Sequence, residues 1–197
     1  MHKWYNLIDN KLKEMLYSMK IYYVRHGQTD WNLARKMQGG GTEKELNSTG
    51  IEQANETKRE LENIQYDIVI CSPMHRAIQT AQIINKDKNI QMITDERIRE
   101  RKLGELEGHE ITDEMESKIW NYDLNYQIPG GESVQDFEKR IINFMEEIKE
   151  KYQDKTVLIV AHGGVAKVIK SHLYGMPDSK NLSEIEMKNC EIIEAEI

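Results

Sequence analysis

IYYVRHGQTDWN, residues Ile21 to Asn32, begins as a run of apolar and aromatic residues and then breaks into Arg25-His26-Gly27. An unbroken apolar run of this length, closed by turn residues, reads as a strand buried on both faces, as in the interior of a parallel sheet. Ending such a strand in a guanidinium, an imidazole and a glycine delivers chemistry to its carboxyl end, where a plain turn residue would have sufficed. The same grammar recurs twice. Asp67–Cys71 (DIVIC) runs into SPMHRAIQTA, with Arg76 in the first turn of a helix, and Thr156–Ala161 (TVLIVA) runs into His162-Gly163-Gly164.

Helical periodicity fills the spaces between these runs. Thr49–Asn63 places Ile51, Ala54 and Leu61 on one face, Met74–Asn85 and Gly164 to about Leu173 follow two of the strands, and Ser133 caps a long helix with Val134, Phe137, Ile141, Phe144 and Ile148 in one stripe. Ile90–Ile93 reads as a short strand, and Ser183–Lys188 and Glu191–Ile197 as two edge strands. The charge-rich stretch from Glu96 to Gly131, with a helix around Thr112–Tyr122, reads as a lid. The alternation predicts an α/β fold: a three-layer α/β/α arrangement with a mostly parallel central sheet and an irregular, partly helical lid over the carboxyl ends of the strands. Residues 1–18 stand apart, with Trp4, Leu7, Ile8, Leu12, Met15 and Leu16 at roughly helical spacing. They are expected to be an N-terminal extension, a short amphipathic helix or an upstream start, with the domain proper over 19–197.

A chain of 197 residues suits one core rather than two. Its net charge of −7 argues against nucleic acid or anionic lipid as partner, since both call for a basic face. No apolar stretch reaches the roughly 20 residues of a membrane span, and no signal-peptide core is present, so a cytoplasmic protein is expected. Cys71 and Cys190 share no CxxC spacing and read as small buried residues. An anionic substrate must then be caught by a local cluster of cations.

In a parallel sheet, ligands bind beyond the carboxyl ends of the strands. There the sequence gathers two histidines and two arginines. A single histidine is usually structural; the joint placement at three strand ends is what points to a site. A metal is disfavoured, because neither His26 nor His162 has HxH or HExxH spacing and their companions are arginines. Guanidinium forks with backbone N–H groups suit a tetrahedral oxyanion, above all a phosphoryl group. A neutral imidazole beside it is a competent nucleophile toward phosphorus. Glu100, in DERIRERKLGELEG, can supply the proton for the leaving oxygen, kept protonated by burial and neighbouring carboxylates. Gly27 and Gly163 read as allowing close backbone approach to nucleophile and phosphate, with a carbonyl holding the other nitrogen of His26. Trp31 is expected to pack under the phosphate loop.

VRHGQTDWN, ELNSTGIEQA, SPMHRAIQTA, RIRERKLGELEG, IPGGESVQDFEKR and VLIVAHGG together resemble, in order and over essentially residues 20 to 197, the histidine phosphatase superfamily, the phosphoglycerate mutase-like branch 1. The resemblance implies the phosphoglycerate mutase-like fold, a phosphohistidine on His26, and a phosphoryl group held by Arg25, Arg76 and His162 with hydrogen bonds from Asn32 and Thr29. It implies Glu100 as proton donor and then base for water, and no metal or organic cofactor. The expected partner is a small-molecule phosphomonoester, and the expected assembly a monomer or homodimer. Two departures stand out: Leu106 replaces a frequent aromatic residue, and Gly39-Gly40-Gly41 suggests an unusually flexible loop.

The gap from His109 to Ile128 is shorter than in the family's mutases and is acidic, with Glu110, Asp113, Glu114, Glu116 and Asp123 against Lys118. That favours a phosphatase whose leaving group is neutral, cationic or bulky, α-ribazole phosphate or a broad range of esters among them. The alternatives are a 2,3-bisphosphoglycerate-dependent phosphoglycerate mutase and, from another class, a non-catalytic phosphate-binding module. The module is disfavoured because Arg25, His26, Arg76, Glu100 and His162 are all in place. His2, His75, His109 and His172 are read as outside the site.

Overall fold

A computed structural model describes residues 18–197. The expected extension over residues 1–18 lies, apart from Ser18, outside the described residues. Five strands, β1 (Lys20–Arg25), β2 (Ile68–Cys71), β3 (Met92–Thr94), β4 (Thr156–Ala161) and β5 (Ile192–Glu196), form one sheet in the order β3-β2-β4-β1-β5. The first four run parallel, and β5 pairs antiparallel with β1 at the edge.

The continuous apolar runs are buried on both faces because helices cover both. Ile21, Tyr23, Ile70 and Ile159 pack against α5 (Val134–Lys151) and α6 (Gly163–Tyr174), and Tyr22, Val24, Val69, Leu158 and Val160 pack against α2 (Ser48–Glu60, through Leu61 just beyond it) and α3 (His75–Asn85). The short helix α1 (Asp30–Leu33) follows β1, and α4 (Asp113–Trp120) lies in the lid. The Ser133 hydroxyl accepts from Asp136 N at 3.1 Å to start α5, whose expected stripe is buried throughout. Each such side chain contributes about 1.5–3 kcal/mol by leaving water.

Three expectations change. Ser183–Lys188 is not a strand: Leu182–Glu184 is a 3-10 turn, and the carbonyls of Leu182, Ser183, Ile185 and Glu186 accept from Lys167 and Lys170 ammonium groups instead of a neighbouring strand. The third strand starts at Met92 rather than Ile90, because the Asn85 side chain takes both the N–H and the C=O of Ile90. Ile51 is 46% exposed; Ala54 and Leu61 are buried as expected, with Gly50 and Thr57 taking the place of Ile51 on the buried face.

The stretch 96–131 does sit as a lid, and cations tie it down from beneath. Arg101 is fully buried, donating from Nη1 to Ile119 O at 2.6 Å and from Nε and Nη2 to Glu132 O at 3.1 and 2.9 Å. Arg140 of α5 pairs with Glu132 and donates to the carbonyls of Arg97, Arg99 and Glu100. Most of the lid's acids face solvent.

Candidate active site

Parallel register brings the ends of β1, β4 and β2 side by side, with Arg25 opposite Ala161 and Cys71 opposite Val160. The ladder runs one residue further on each flank of β4, through His26 N to Ala161 O and Ser72 N to Val160 O, both 2.9 Å. His26 and Ser72 are therefore fixed by sheet hydrogen bonding, and His162, the residue after β4, by the start of the next helix, where its carbonyl accepts from Ala166 N at 3.0 Å.

His26 is 2% exposed. Its Nδ1 lies 2.8 Å from Gly27 O, an atom that can only accept, so Nδ1 carries the ring proton and Nε2 the lone pair. The carbonyl sought for His26 is thus that of Gly27. Arg76 Nε donates to His26 Nε2 at 3.2 Å. Burial first, and then the Arg76 and Arg25 charges, hold the imidazole's pKa well below its ordinary value despite the opposing Gly27 bond. The ring is neutral in the free protein.

Arg76, with no exposed surface, donates Nη1 to Thr42 O at 3.0 Å and Nη2 to Gly39 O at 3.4 Å. Burial pulls its pKa down to about 10, so it stays charged at neutral pH. His162 caps α6, and its ring centroid lies 5.2 Å from that of His26. Its Nε2 meets Ser72 Oγ at 2.7 Å, and Tyr23 Oη donates to its carbonyl at 2.5 Å. Burial, Arg76, His26 and Arg25 also keep His162 neutral. Arg25 Nη1 donates to Met187 O.

Two buried polar atoms beside His26, Arg25 Nε and His162 Nδ1, have no hydrogen-bond partner among the described residues. Leaving such groups unpaired costs about 1–3 kcal/mol each, which a polar ligand would offset.

Glu100 is 9% exposed; Oε1 accepts from Arg101 N at 2.8 Å and Oε2 from Gly164 N at 3.0 Å. The expected carboxylate neighbours are not what surrounds it: the hydrogen-bond donors are backbone N–H groups, and buried arginines line this part of the molecule. Asn32 lines the cavity, its Oδ1 accepting from Thr29 N and Oγ1, each at 3.1 Å, and its Nδ2 without a protein partner among the described residues. Thr29 is fully buried as the N-cap of α1, in a capping box with Asn32, and is absent from the cavity wall. Its N–H and hydroxyl orient the Asn32 side chain.

The cavity holds about 360 Å³, enough for a metabolite phosphate, and His26, Arg25, Asn32 and Glu100 share its wall. Arg76 and His162 stand just behind them. Beyond these, Lys36, Lys167 and Lys188 oppose Glu116 and Glu186. Among the lid's acidic residues from 110 to 123 only Glu116 lines the cavity. His75 and His109 are exposed and off the wall.

The glycines also depart from expectation. A Cβ on Gly27 would lie 2.4 Å from Gly50 O, so its close approach is to α2 and not to a ligand. Gly163, whose Cβ would come 3.3 Å from the Arg25 guanidinium, is placed against the site, as is Gly164, whose Cβ would lie 2.2 Å from Glu100 Oε1. Gly39 and Gly40 are buried, and a Cβ on either would come 2.3 Å from Glu107 Oε1 or Glu100 O, which marks a pressed loop and not a flexible one. Trp31 packs on Gly108 of the lid, flanked by Lys36 and Lys44, rather than under the phosphate loop.

Ser72, Tyr23 and Asn189 escaped the sequence reading. Ser72 follows β2 as His26 follows β1, a positional signal that was available. Asn189 Nδ2 reaches His26 O at 2.9 Å from 163 residues away, and nothing local announces it. Among the described residues no three His, Cys, Asp or Glu side chains converge as a metal group, and no helix is long and apolar enough to cross a membrane.

Comparison with known proteins places this geometry in context. The sequence model of the Histidine phosphatase superfamily (branch 1) matches residues 21–197. The chain is 35% identical over 155 residues to the "Uncharacterized phosphatase PhoE" of Bacillus subtilis, spanning 79% of this chain and 77% of that protein. It is 30% identical over 180 residues to the "Probable phosphoglycerate mutase GpmB" of Proteus mirabilis, spanning 88% and 83%. The solved structure of Bacillus stearothermophilus YhfR superposes with a TM-score of 0.80 at 28% identity, over 89% of this chain and 90% of that one.

Proposed function

Because the chain belongs to branch 1 of the histidine phosphatase superfamily, we propose that it hydrolyses a small-molecule phosphomonoester through a phosphohistidine on His26, without a metal. The observation that carries this reading is the pair of unpartnered buried atoms, Arg25 Nε and His162 Nδ1, beside an imidazole whose Nε2 is unprotonated. The phosphoryl group would sit among Arg25, Arg76, Asn32 and His162. His26 Nε2 attacks phosphorus as the ester P–O bond breaks, and the leaving oxygen takes a proton from Glu100. Arg76 Nε, which donates to His26 Nε2 in the free protein, turns to an equatorial oxygen as the N–P bond forms. Water then attacks phosphorus, Glu100 takes its proton, and inorganic phosphate leaves with His26 regenerated.

The likeness to a protein named as a mutase supports one second reading, in which the phosphoryl group returns to another hydroxyl of a phosphoglycerate. One panel separates the readings: p-nitrophenyl phosphate, phosphoserine, α-ribazole phosphate and 3-phosphoglycerate, with chelator present, for wild type and His26→Ala. Phosphate release that His26→Ala lowers by about 10³-fold or more is the expected outcome. Isomerisation of 3-phosphoglycerate with its bisphosphate primer, in place of release, establishes the mutase. Vanadate binding without turnover of any ester would leave a non-catalytic binder.

A further inference from the structure

Arg76 is aimed by main chain rather than by a carboxylate partner. Two of its three guanidinium nitrogens donate to Thr42 O and Gly39 O, and the third to His26 Nε2. The direction of the fork therefore depends on where the loop Gly39–Thr42 is held.

That loop contains three consecutive glycines and no regular secondary structure of its own, yet it is pinned at both ends. Gly40 N donates to Arg101 O at 2.8 Å, beside Glu100. The other anchor is Glu107, from the lid. Its Oε1 accepts from Gly41 N at 3.0 Å and from Leu103 N at 3.1 Å, and its Oε2 accepts from the Thr42 hydroxyl. The carboxylate fills the space where a Gly39 side chain would stand. Three hydrogen bonds thus fix one side chain between the lid and the loop, and the loop's carbonyls fix Arg76.

We propose that Glu107 is a positioning residue for phosphoryl transfer, holding the Gly39–Thr42 loop so that Arg76 points at the phosphoryl site. The proposal rests on the phosphatase reading above. It explains why the triple glycine is pressed flat against Glu107 and the Glu100 backbone when its composition would favour mobility. It also separates geometry from charge. Glutamine at 107 keeps an oxygen for Gly41 N and Leu103 N and an amide that can donate to Thr42 Oγ, while losing the charge.

The test is a double-mutant cycle read by steady-state kinetics and by vanadate affinity, with thermal melts run alongside. Glu107→Ala is expected to lower kcat/KM and vanadate affinity by roughly 10-fold or more, and Glu107→Gln to stay within about threefold of wild type. In the Arg76→Ala background, Glu107→Ala should cost nothing further, because the group it positions is gone. Equal losses in both backgrounds, or a fall in melting temperature with vanadate affinity unchanged, would reduce Glu107 to a structural brace and overturn the proposal. If Glu107→Ala does not fold, Thr42→Val, which removes only the hydroxyl bonded to Glu107, carries the same cycle. A wild-type protein that neither binds vanadate nor hydrolyses any ester overturns the phosphatase reading itself; one that does both, with additive variants, overturns only the role of Glu107.

Discussion

Ser72 sets the state of a neutral ring. A neutral imidazole carries one proton on one of two nitrogens, and its partner decides which. Ser72 Oγ accepts from Met74 N at 3.4 Å, so its own proton is free to be given to His162 Nε2 at 2.7 Å. With Ser72 as the donor, the ring proton of His162 sits on Nδ1, one of the two unpartnered buried atoms, as a donor awaiting an acceptor. In the proposed mechanism a phosphoryl oxygen fills that role. Ser72→Ala removes the constraint and lets the ring adopt the other tautomer. A buried hydrogen bond of this kind contributes about 1–2 kcal/mol, so kcat/KM and vanadate affinity should both fall by roughly 5- to 30-fold. Vanadate titration of the variant checks it. Unchanged affinity would mean that His162 does not donate to the anion.

The end of β1 and the start of α2 make a second dependence, this time between elements. Gly27 and Gly50 exchange close backbone approaches: a Cβ on Gly27 would come 2.4 Å from Gly50 O, and one on Gly50 would come 2.1 Å from Gln28 O. Backbone atoms cannot step aside as the tip of a side chain can. Gly27→Ala should therefore act first on stability, whereas the close approach to nucleophile and phosphate read from the sequence would have put the first loss in turnover. Overpacking of this kind costs about 1–3 kcal/mol, or roughly 2–12 °C in a chain of this size. An unchanged urea midpoint would rule out the steric account. The same contrast shows what was legible. The strand ends could be read because each apolar run and its terminal residue are contiguous in sequence, and parallel pairing aligns them regardless of the intervening chain. The partners of glycines could not. What Gly27 or Gly39 touches is decided by Gly50 or Glu107, and a glycine carries no side chain to announce a neighbour. The Ser183–Lys188 strand failed for a related reason, while Glu191–Ile197 forms the edge strand β5 as expected: Lys167, distant in sequence, takes the carbonyls that the first would have used.

Over the whole molecule, a net charge of −7 coexists with a site that concentrates positive charge around neutral histidines. Keeping His26 and His162 neutral makes folding sensitive to pH. For both, burial and the neighbouring arginines push the folded pKa well below its ordinary value, so the folded state binds fewer protons than the unfolded one. Stability then rises with pH: the contribution is fully present above the unfolded histidine pKa of about 6.5 and is lost as pH falls from there toward the folded values. The depressed carboxyls of Asp95 and Glu132 contribute stability with the same sign, lost only at lower pH, below roughly 4.5. Between about pH 6 and 5 the two histidines should thus dominate, each adding a slope that approaches about 1.4 kcal/mol per pH unit. Urea midpoints measured from pH 5 to 8 should be nearly flat above pH 7 and fall steeply below 6.5. His162→Gln should halve that slope, whatever it does to the absolute midpoint. On the proposed function inorganic phosphate binds only the folded site, so saturating phosphate should raise the midpoints. An equal acid slope in wild type and His162→Gln would show that His162 is protonated in the folded protein, and the tautomer argument for Ser72 would fall with it.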